Sequence, residues 1–202
     1  MLNVVVKLTS PRNFETFFEE QKYDNNNVIV RPTYMSICAA DQRYYQGKRK
    51  KEILDKKLPL ALIHEAIGEV VLDPIGEHKK GEKVVLIPNT PSEKNETIKE
   101  NYLFSSKFRS SSIDGFMQNV VIMDRTRIIP IKGITDDVAS QLEMTSIAVN
   151  AVEEFKKRSH NKVDTIGIWG CRELKRGHAP SGLYREGGKR CISAMLRADF
   201  LP

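Results

Sequence analysis

SICAADQRYYQG, Ser36 to Gly47, is the stretch whose reading decides the fold, together with LPLALIHEAIGEVV, Leu58 to Val71, which follows it. Cys38 offers a thiolate, His64 an imidazole and Glu65 a carboxylate. A catalytic zinc collects donors of these types, commonly as three protein ligands with one position left for water or substrate. Asp41, three residues after the cysteine, can accept the second ring proton of a ligating histidine. Each residue also has a plainer reading. A lone cysteine is often a small buried hydrophobe, and a lone His-Glu pair is often surface decoration. The surroundings favour the metal. VIVR (Val28 to Arg31) reads as a strand broken at Pro32, followed by a short helix carrying Cys38 and Asp41. IHEAIGEVVLDP reads as a loop delivering His64 and Glu65, then a strand with Gly68 inside it.

Outward from these stretches, short strands predominate. NVVVKL (Asn3 to Leu8) is one, and residues 12 to 22 are mixed. DNNN (Asp24 to Asn27) signals a turn whose flanking strands should pair as a hairpin or meander. KRKK (Lys48 to Lys51) is either a solvated loop or a basic rim that attracts an anion. The strand after Gly68 should end at Asp73-Pro74, turn around Gly76 and Gly81, and resume at Lys83 to Ile87, with His78 exposed and inert. Thr97 to Phe104 looks helical. Asp114 to Met123 and Arg127 to Ile131 are strands again, so the core is expected to be mainly β, a partly open barrel. Ile134 to Phe155 is the clearest helical region, capped by Thr135 or Asp136, with a break near Glu143. Arg43, Lys107 and Arg109 are basic residues suited to holding a substrate phosphate, arginine through its planar fork.

The chain has 202 residues, 40% of them hydrophobic and 29% charged, with three scattered cysteines and a net charge of +6. The composition is globular. No apolar run reaches the roughly 20 residues of a membrane span. The N-terminus lacks the pattern of a signal peptide, and the cysteines form no disulfide framework, so the expected compartment is the cytoplasm. The charge does not argue for nucleic acid. Residues 171 to 202 hold seven Lys or Arg against three acids, leaving +2 for the first 170 residues.

Cys38, Asp41, Gly47, His64, Glu65, Gly68 and Val70 together resemble the pattern of the zinc-containing medium-chain alcohol dehydrogenases. RPTYMSICAADQRYYQG, LPLALIHEAIGEVV, VVLIPNTPSEK, FRSSSIDGFMQ and GIWG are similar more narrowly to the ribulose-5-phosphate reductases of ribitol teichoic acid and capsule synthesis. The resemblance implies a GroES-like β-barrel catalytic domain over residues 1–148. A connecting helix and the first strand of a Rossmann α/β domain would occupy 149–170. It implies Zn2+ held by Cys38, His64 and Glu143, with Glu65 as an alternating or water-bridged ligand, and Met144 in place of the usual proline after Glu143. It also implies NADPH, a sugar-phosphate substrate and a cytidylyltransferase partner. No cysteine lies between Cys38 and Cys171, so the structural zinc of many relatives is not expected. Ala40 stands where a Ser or Thr usually begins the proton relay, which leaves Glu65 or Tyr44 for that role.

The resemblance stops in the middle of a motif. VDTIGIWG reads as the first strand and first glycine, Gly170, of a dinucleotide-binding turn. Arg172 and Lys175 stand where further glycines belong. Residues 171–202 are basic, Gly-rich and aperiodic, and read as an out-of-frame tail. The expectation is a zinc-dependent reductase lacking turnover in this form. The alternatives are a non-catalytic zinc-binding β-domain fragment or a basic binding module that uses the tail.

Overall fold

The computed structural model describes residues 1–159, 165–168 and 194–197. Met1–Val149 forms one compact unit and Asn150–Pro202 a second. The first unit opens with a hairpin of β1 (Leu2–Ser10) and β2 (Asn13–Glu20), paired antiparallel. β3 (Asn27–Ser36) leads into the short helices α1 (Ala39–Tyr45) and α2 (Lys51–Lys57), then β4 (Glu65–Leu72) and β5 (Lys83–Leu86). β6 (Asn89–Thr90) and β7 (Lys107–Phe108) pair across a long loop. β8 (Val121–Asp124), β9 (Ile128–Pro130), α3 (Asp136–Ala139) and α4 (Leu142–Arg158) follow.

The main sheet has the order β8-β3-β4-β5-β9, every neighbouring pair antiparallel. It curls into the expected partly open barrel. Alternation along β3, β4 and β5 sends Val28, Val30, Val70, Val84 and Leu86 inward with Phe116 and Met123. The β1–β2 hairpin closes one side. Leu8 exchanges backbone hydrogen bonds with Leu60 at 2.9 and 3.1 Å, and Val6 N donates to Met117 O at 2.9 Å. Two glycines permit close backbone approach. A Cβ at Gly68 would lie 2.5 Å from the Arg31 carbonyl oxygen, and one at Gly115 would lie 2.3 Å from those of Leu62 and Ile63.

Several expectations need correction. The Asp24–Asn27 turn exists, with Asn26 N donating to Asp24 Oδ1 at 2.8 Å, but β2 and β3 do not pair. The hairpin partner of β1 is the segment read as mixed. β3 does not break at Pro32. A bulge between Pro32 and Tyr34 carries the strand past it, and the β8 pairing has already ended at Val30. A proline without an N–H is tolerated at such a bulge. Thr97 to Phe104 is no helix, only a 3-10 turn at Glu100–Tyr102. There the Asn95 side chain takes the Thr97 and Ile98 N–H groups at 2.9 and 2.8 Å, a local alternative to helix bonds. His78 is half-buried, with Nδ1 3.0 Å from Glu82 Oε2. The long helical region divides at Ser140–Gln141, just before Glu143.

In the second unit, β10 (Thr165–Ile168) is a strand, as expected, and pairs antiparallel with β11 (Ala194–Arg197). Gly170, Arg172, Lys175 and most of the residue 171–202 tail lie outside the described residues.

Candidate metal centre

The β3–β4 register builds the centre. Ser36 pairs with Glu65, so continuing outward by one or two residues sets Cys38 against Ile63 and His64. Cys38 caps α1. Ala40 N donates to its Sγ at 3.1 Å, and Cys38 N donates to Asp41 Oδ2 at 3.1 Å, a reciprocal cap. Cys38 Sγ lies 3.6 Å from His64 Nε2, which lies 3.9 Å from Glu65 Oε1. The three ligand atoms fall within 4.8 Å of one another. Zinc bond lengths set tetrahedral edges of about 3.4–3.7 Å, so two of the separations are already near those of a filled site.

Burial pushes the Cys38 thiol up to about 12, with the Asp41 carboxylate adding to the effect. A thiol so placed becomes an anion when a cation arrives to share its charge. Cys38, His64 and Glu65 therefore fit zinc by donor type and by spacing.

Asp41 organises the centre more than any other residue. It is almost fully buried. Its carboxylate accepts from Cys38 N, from Ile63 N at 3.0 Å and from Ser110 Oγ at 3.0 Å. Its Oδ1 stands 4.0 Å from His64 Nδ1, beyond a hydrogen bond, so its principal work is to clamp the two ligand-bearing segments. Ile63 has φ 72°, a costly conformation for a β-branched residue. The Asp41 bond and a 2.7 Å bond from Phe116 N to Ile63 O hold it there. The His64 ring tilts at 60° against Phe108, with centroids 5.3 Å apart.

Glu143 sits in the first turn of α4. Burial raises its carboxyl, and His64 draws it back down, so it lies within electrostatic reach of the imidazole. The α3–α4 junction is pinned nearby, where the buried Ser140 Oγ lies 2.8 Å from Ser36 Oγ. Lys83 Nζ reaches Asp136 at 2.8 and 3.0 Å. Ser36, Ser110, Ser140, Ile63 and Phe108 were not singled out from sequence. Only the FRSSS run hinted at Ser110.

The three basic residues expected to hold phosphate part company. Arg43 is exposed, its Nε donating to Ala39 O at 3.2 Å. Lys107 is exposed. Arg109 is not a free fork. Its terminal nitrogens donate to Asp114 O at 3.2 Å and Ile122 O at 2.8 Å, and its guanidinium lies 5.5 Å over the Phe116 ring. Burial lowers it to about 10. It braces two backbone segments, because carbonyls in the core need donors.

A family model for the alcohol dehydrogenase GroES-like domain matches residues 24–133. The chain belongs to that family. Ribulose-5-phosphate reductase of Bacillus spizizenii is 50% identical over 171 residues, spanning 84% of this chain and 50% of that protein. The Streptococcus pneumoniae enzyme of the same name is 41% identical over 172 residues, with the same coverage of 84% and 50%. The crystal structure of S. aureus TarJ in complex with NADPH superposes with a TM-score of 0.62 at 40% identity, covering 80% of this chain and 44% of that one. L-idonate 5-dehydrogenase of Escherichia coli, at 21% identity and a TM-score of 0.68 over 76% of this chain and 47% of its own, shares the fold. The chain thus spans about half the length of the curated relatives it matches. The resemblance to ribulose-5-phosphate reductases, an oxidoreductase family, is borne out. Among the described residues no helix is long and apolar enough to cross a membrane.

Proposed function

We propose that residues 1–148 form the zinc- and substrate-binding half of a cytoplasmic reductase that converts D-ribulose 5-phosphate to ribitol 5-phosphate with NADPH. The observation that carries this reading is the Cys38–His64–Glu65 cluster in a chain half identical to ribulose-5-phosphate reductases over most of its length. Cys38, His64 and Glu143 would hold the metal, with Glu65 as an alternating or water-bridged ligand. Bound zinc supplies Lewis acidity towards a carbonyl oxygen.

The chain's own residues hold that chemistry in place. Asp41 keeps the Cys38 and His64 segments in register, and Phe108 walls one face of the imidazole. Reduction of the ketone consumes one hydride and one proton. Of the two residues expected to pass the proton, Tyr44 is buried beneath the Arg49 guanidinium and Glu65 stands at the centre. That contrast favours Glu65. NADPH as the hydride donor is supported by the cofactor named for S. aureus TarJ. A cytidylyltransferase acting on the product is the proposed partner, and nucleic acid is not one.

A second reading, a zinc-binding β-domain without turnover, is favoured by Arg172 and Lys175. In the sequence pattern they fall at the second and third glycine positions of a dinucleotide-binding turn, the second being where backbone approaches a pyrophosphate and the third where helix packs closely on strand. Metal analysis and NADPH oxidation with ribulose 5-phosphate, run on the same preparation, test both. One zinc per chain, lost in Cys38→Ser and weakened in Glu143→Ala, supports the metal assignment. No bound zinc at neutral pH sinks it. Turnover by the 202-residue chain removes the second reading, and its absence beside stoichiometric zinc favours it.

A further inference from the structure

The segment from Arg43 to Lys57 carries seven basic residues and two acids. That is +5 in a part of the chain whose first 170 residues sum to only +2. Elsewhere in the first unit, several cations are paired with acids. Lys7 meets Glu19 and Asp114, Lys83 meets Asp136, Arg125 meets Asp73, and Arg127 meets Glu100. Among the described residues, no cation between Arg43 and Lys57 forms an ion pair with an acid. Uncompensated positive charge gathered beside one helix raises the local concentration of anions.

Within this segment one group is fixed. The Arg49 guanidinium lies 4.9 Å over the Tyr44 ring, and Tyr44 is buried. Arg49 Nε is itself buried and has no hydrogen-bond partner. Stacking on an aromatic face sets the plane of a guanidinium without using its N–H donors. Arg109, by contrast, has given its terminal nitrogens to two carbonyls. The Arg49 fork is held in place with its donors uncommitted, between Lys48 and Lys50 in the connection from α1 to α2, over Tyr44 of the helix that Cys38 caps. α1 has seven residues, a length of about 10 Å, so Tyr44, on which the fork rests, and the thiol stand near opposite ends of one short element. Lys57, whose Nζ donates to Ser111 Oγ at 2.9 Å, ties α2 to the loop whose Ser110 meets Asp41.

We infer that Arg49 is the phosphate-recognition residue of this chain, with Lys48 and Lys50 as its electrostatic rim, and that it receives the phosphate of the sugar-phosphate substrate whose carbonyl end faces Cys38 and His64. This rests on the ribulose 5-phosphate reading and assigns the phosphate to residues other than Arg43, Lys107 and Arg109.

The test is calorimetric titration of the zinc-loaded chain with ribulose 5-phosphate, with unphosphorylated ribulose and with inorganic phosphate, for the wild type, Arg49→Ala, Arg49→Lys and Lys50→Ala. The expected result is a loss of about ten- to a hundredfold in ribulose 5-phosphate affinity for Arg49→Ala, the weight of a charge-assisted hydrogen-bonded pair. Arg49→Lys recovers part of it as a point charge without the fork, Lys50→Ala loses severalfold, and ribulose affinity does not move. Unchanged zinc content and melting temperature in Arg49→Lys separate recognition from packing on Tyr44. If the wild type binds ribulose 5-phosphate and Arg49→Ala binds it equally well, the inference is overturned while the substrate reading stands. If inorganic phosphate binds in an Arg49-dependent way and ribulose 5-phosphate binds no better, the anion site stands and the substrate reading fails. Equal losses in Arg49→Ala and Lys50→Ala, abolished together by salt, reduce the site to diffuse screening and overturn the role of Arg49. Absence of any phosphate binding overturns it as well.

Discussion

Two carboxylates, Asp41 and Asp73, are shielded in the same unit and do opposite kinds of work. Asp73 faces a full cation, Arg125, and accepts from the N–H groups of His78 at 2.9 Å and Ile75 at 3.2 Å. It ties the β4–β5 turn to the end of β8. Asp41 takes two backbone N–H groups and a hydroxyl, and the His64 ring stays 4.0 Å away. A carboxylate neutralised by arginine is a strut. One satisfied by neutral donors sits at the centre, where its side chain adds to the rise of the Cys38 thiol. The difference teaches that the first clamp serves the fold alone and the second serves the site through the fold.

The largest effect should come from removing the space beside the Leu62–Ile63 backbone that leads into His64. Gly115→Ala drives a Cβ into the Leu62 and Ile63 carbonyls. The backbone must move, so we expect a loss of about 3 kcal/mol or more in denaturant titration, with zinc retention lost. Full stability in this variant would show that the Leu62–Ile63 approach is soft. Next is Asp41→Ala, which strips the acceptor from three donors. About 2–3 kcal/mol of stability and ten- to a hundredfold in zinc affinity are expected to go together. If affinity falls with no loss of stability, Asp41 is only a neighbour of the metal.

Asp73→Ala is the contrasting variant. It should lower the melting temperature while leaving zinc affinity unchanged, and any change in affinity would break the comparison. Its pH signature follows from the Arg125 hydrogen bond, helped by the His78 and Ile75 amides and opposed by burial. Together these hold the Asp73 carboxyl well below the usual carboxylate range. A depressed folded value contributes stability that is present above the unfolded value of about 4 and is lost as pH falls below it. Acid melts of the wild type should therefore show a decline below pH ~4 that is reduced in Asp73→Ala. The smallest effect belongs to Lys83→Ala, which breaks an exposed pair with Asp136. A slight, salt-sensitive change in the melt is expected, and a large loss of zinc would mean that α3 is held to the centre through this pair alone.

Much of this could be read before any coordinates. The donors Cys38, His64 and Glu65 were legible because ligand chemistry belongs to the residue itself. The β4 and β5 strands were legible from their short apolar runs and the Asp73-Pro74, Gly76 and Gly81 turn between them, and the break before Glu143 from its position ahead of the long apolar repeat. The helix assigned to Thr97–Phe104 was misread because local propensity ignores the Asn95 side chain, which competes for the same N–H groups. β2 was missed because NFETFFEE, Asn13 to Glu20, alternates only weakly and gains its order from β1. Arg109 and Arg49 are the sharpest lesson. As sequence they are equivalent cations, yet one is committed to two carbonyls and the other lies on a tyrosine with its donors free.

Sequence alone determined which atoms were available: a thiol, an imidazole and carboxylates at the right spacings, a mainly β chain, and a basic run after Gly47. The tertiary structure decided which of them meet. Asp41 finds Ser110 across 69 residues, Ser36 finds Ser140 across 104, and the β3–β4 register carries Cys38 to His64. Donor chemistry is intrinsic to a residue. The partner that satisfies it is chosen only when burial forces distant backbone segments together and every buried polar group must find its complement.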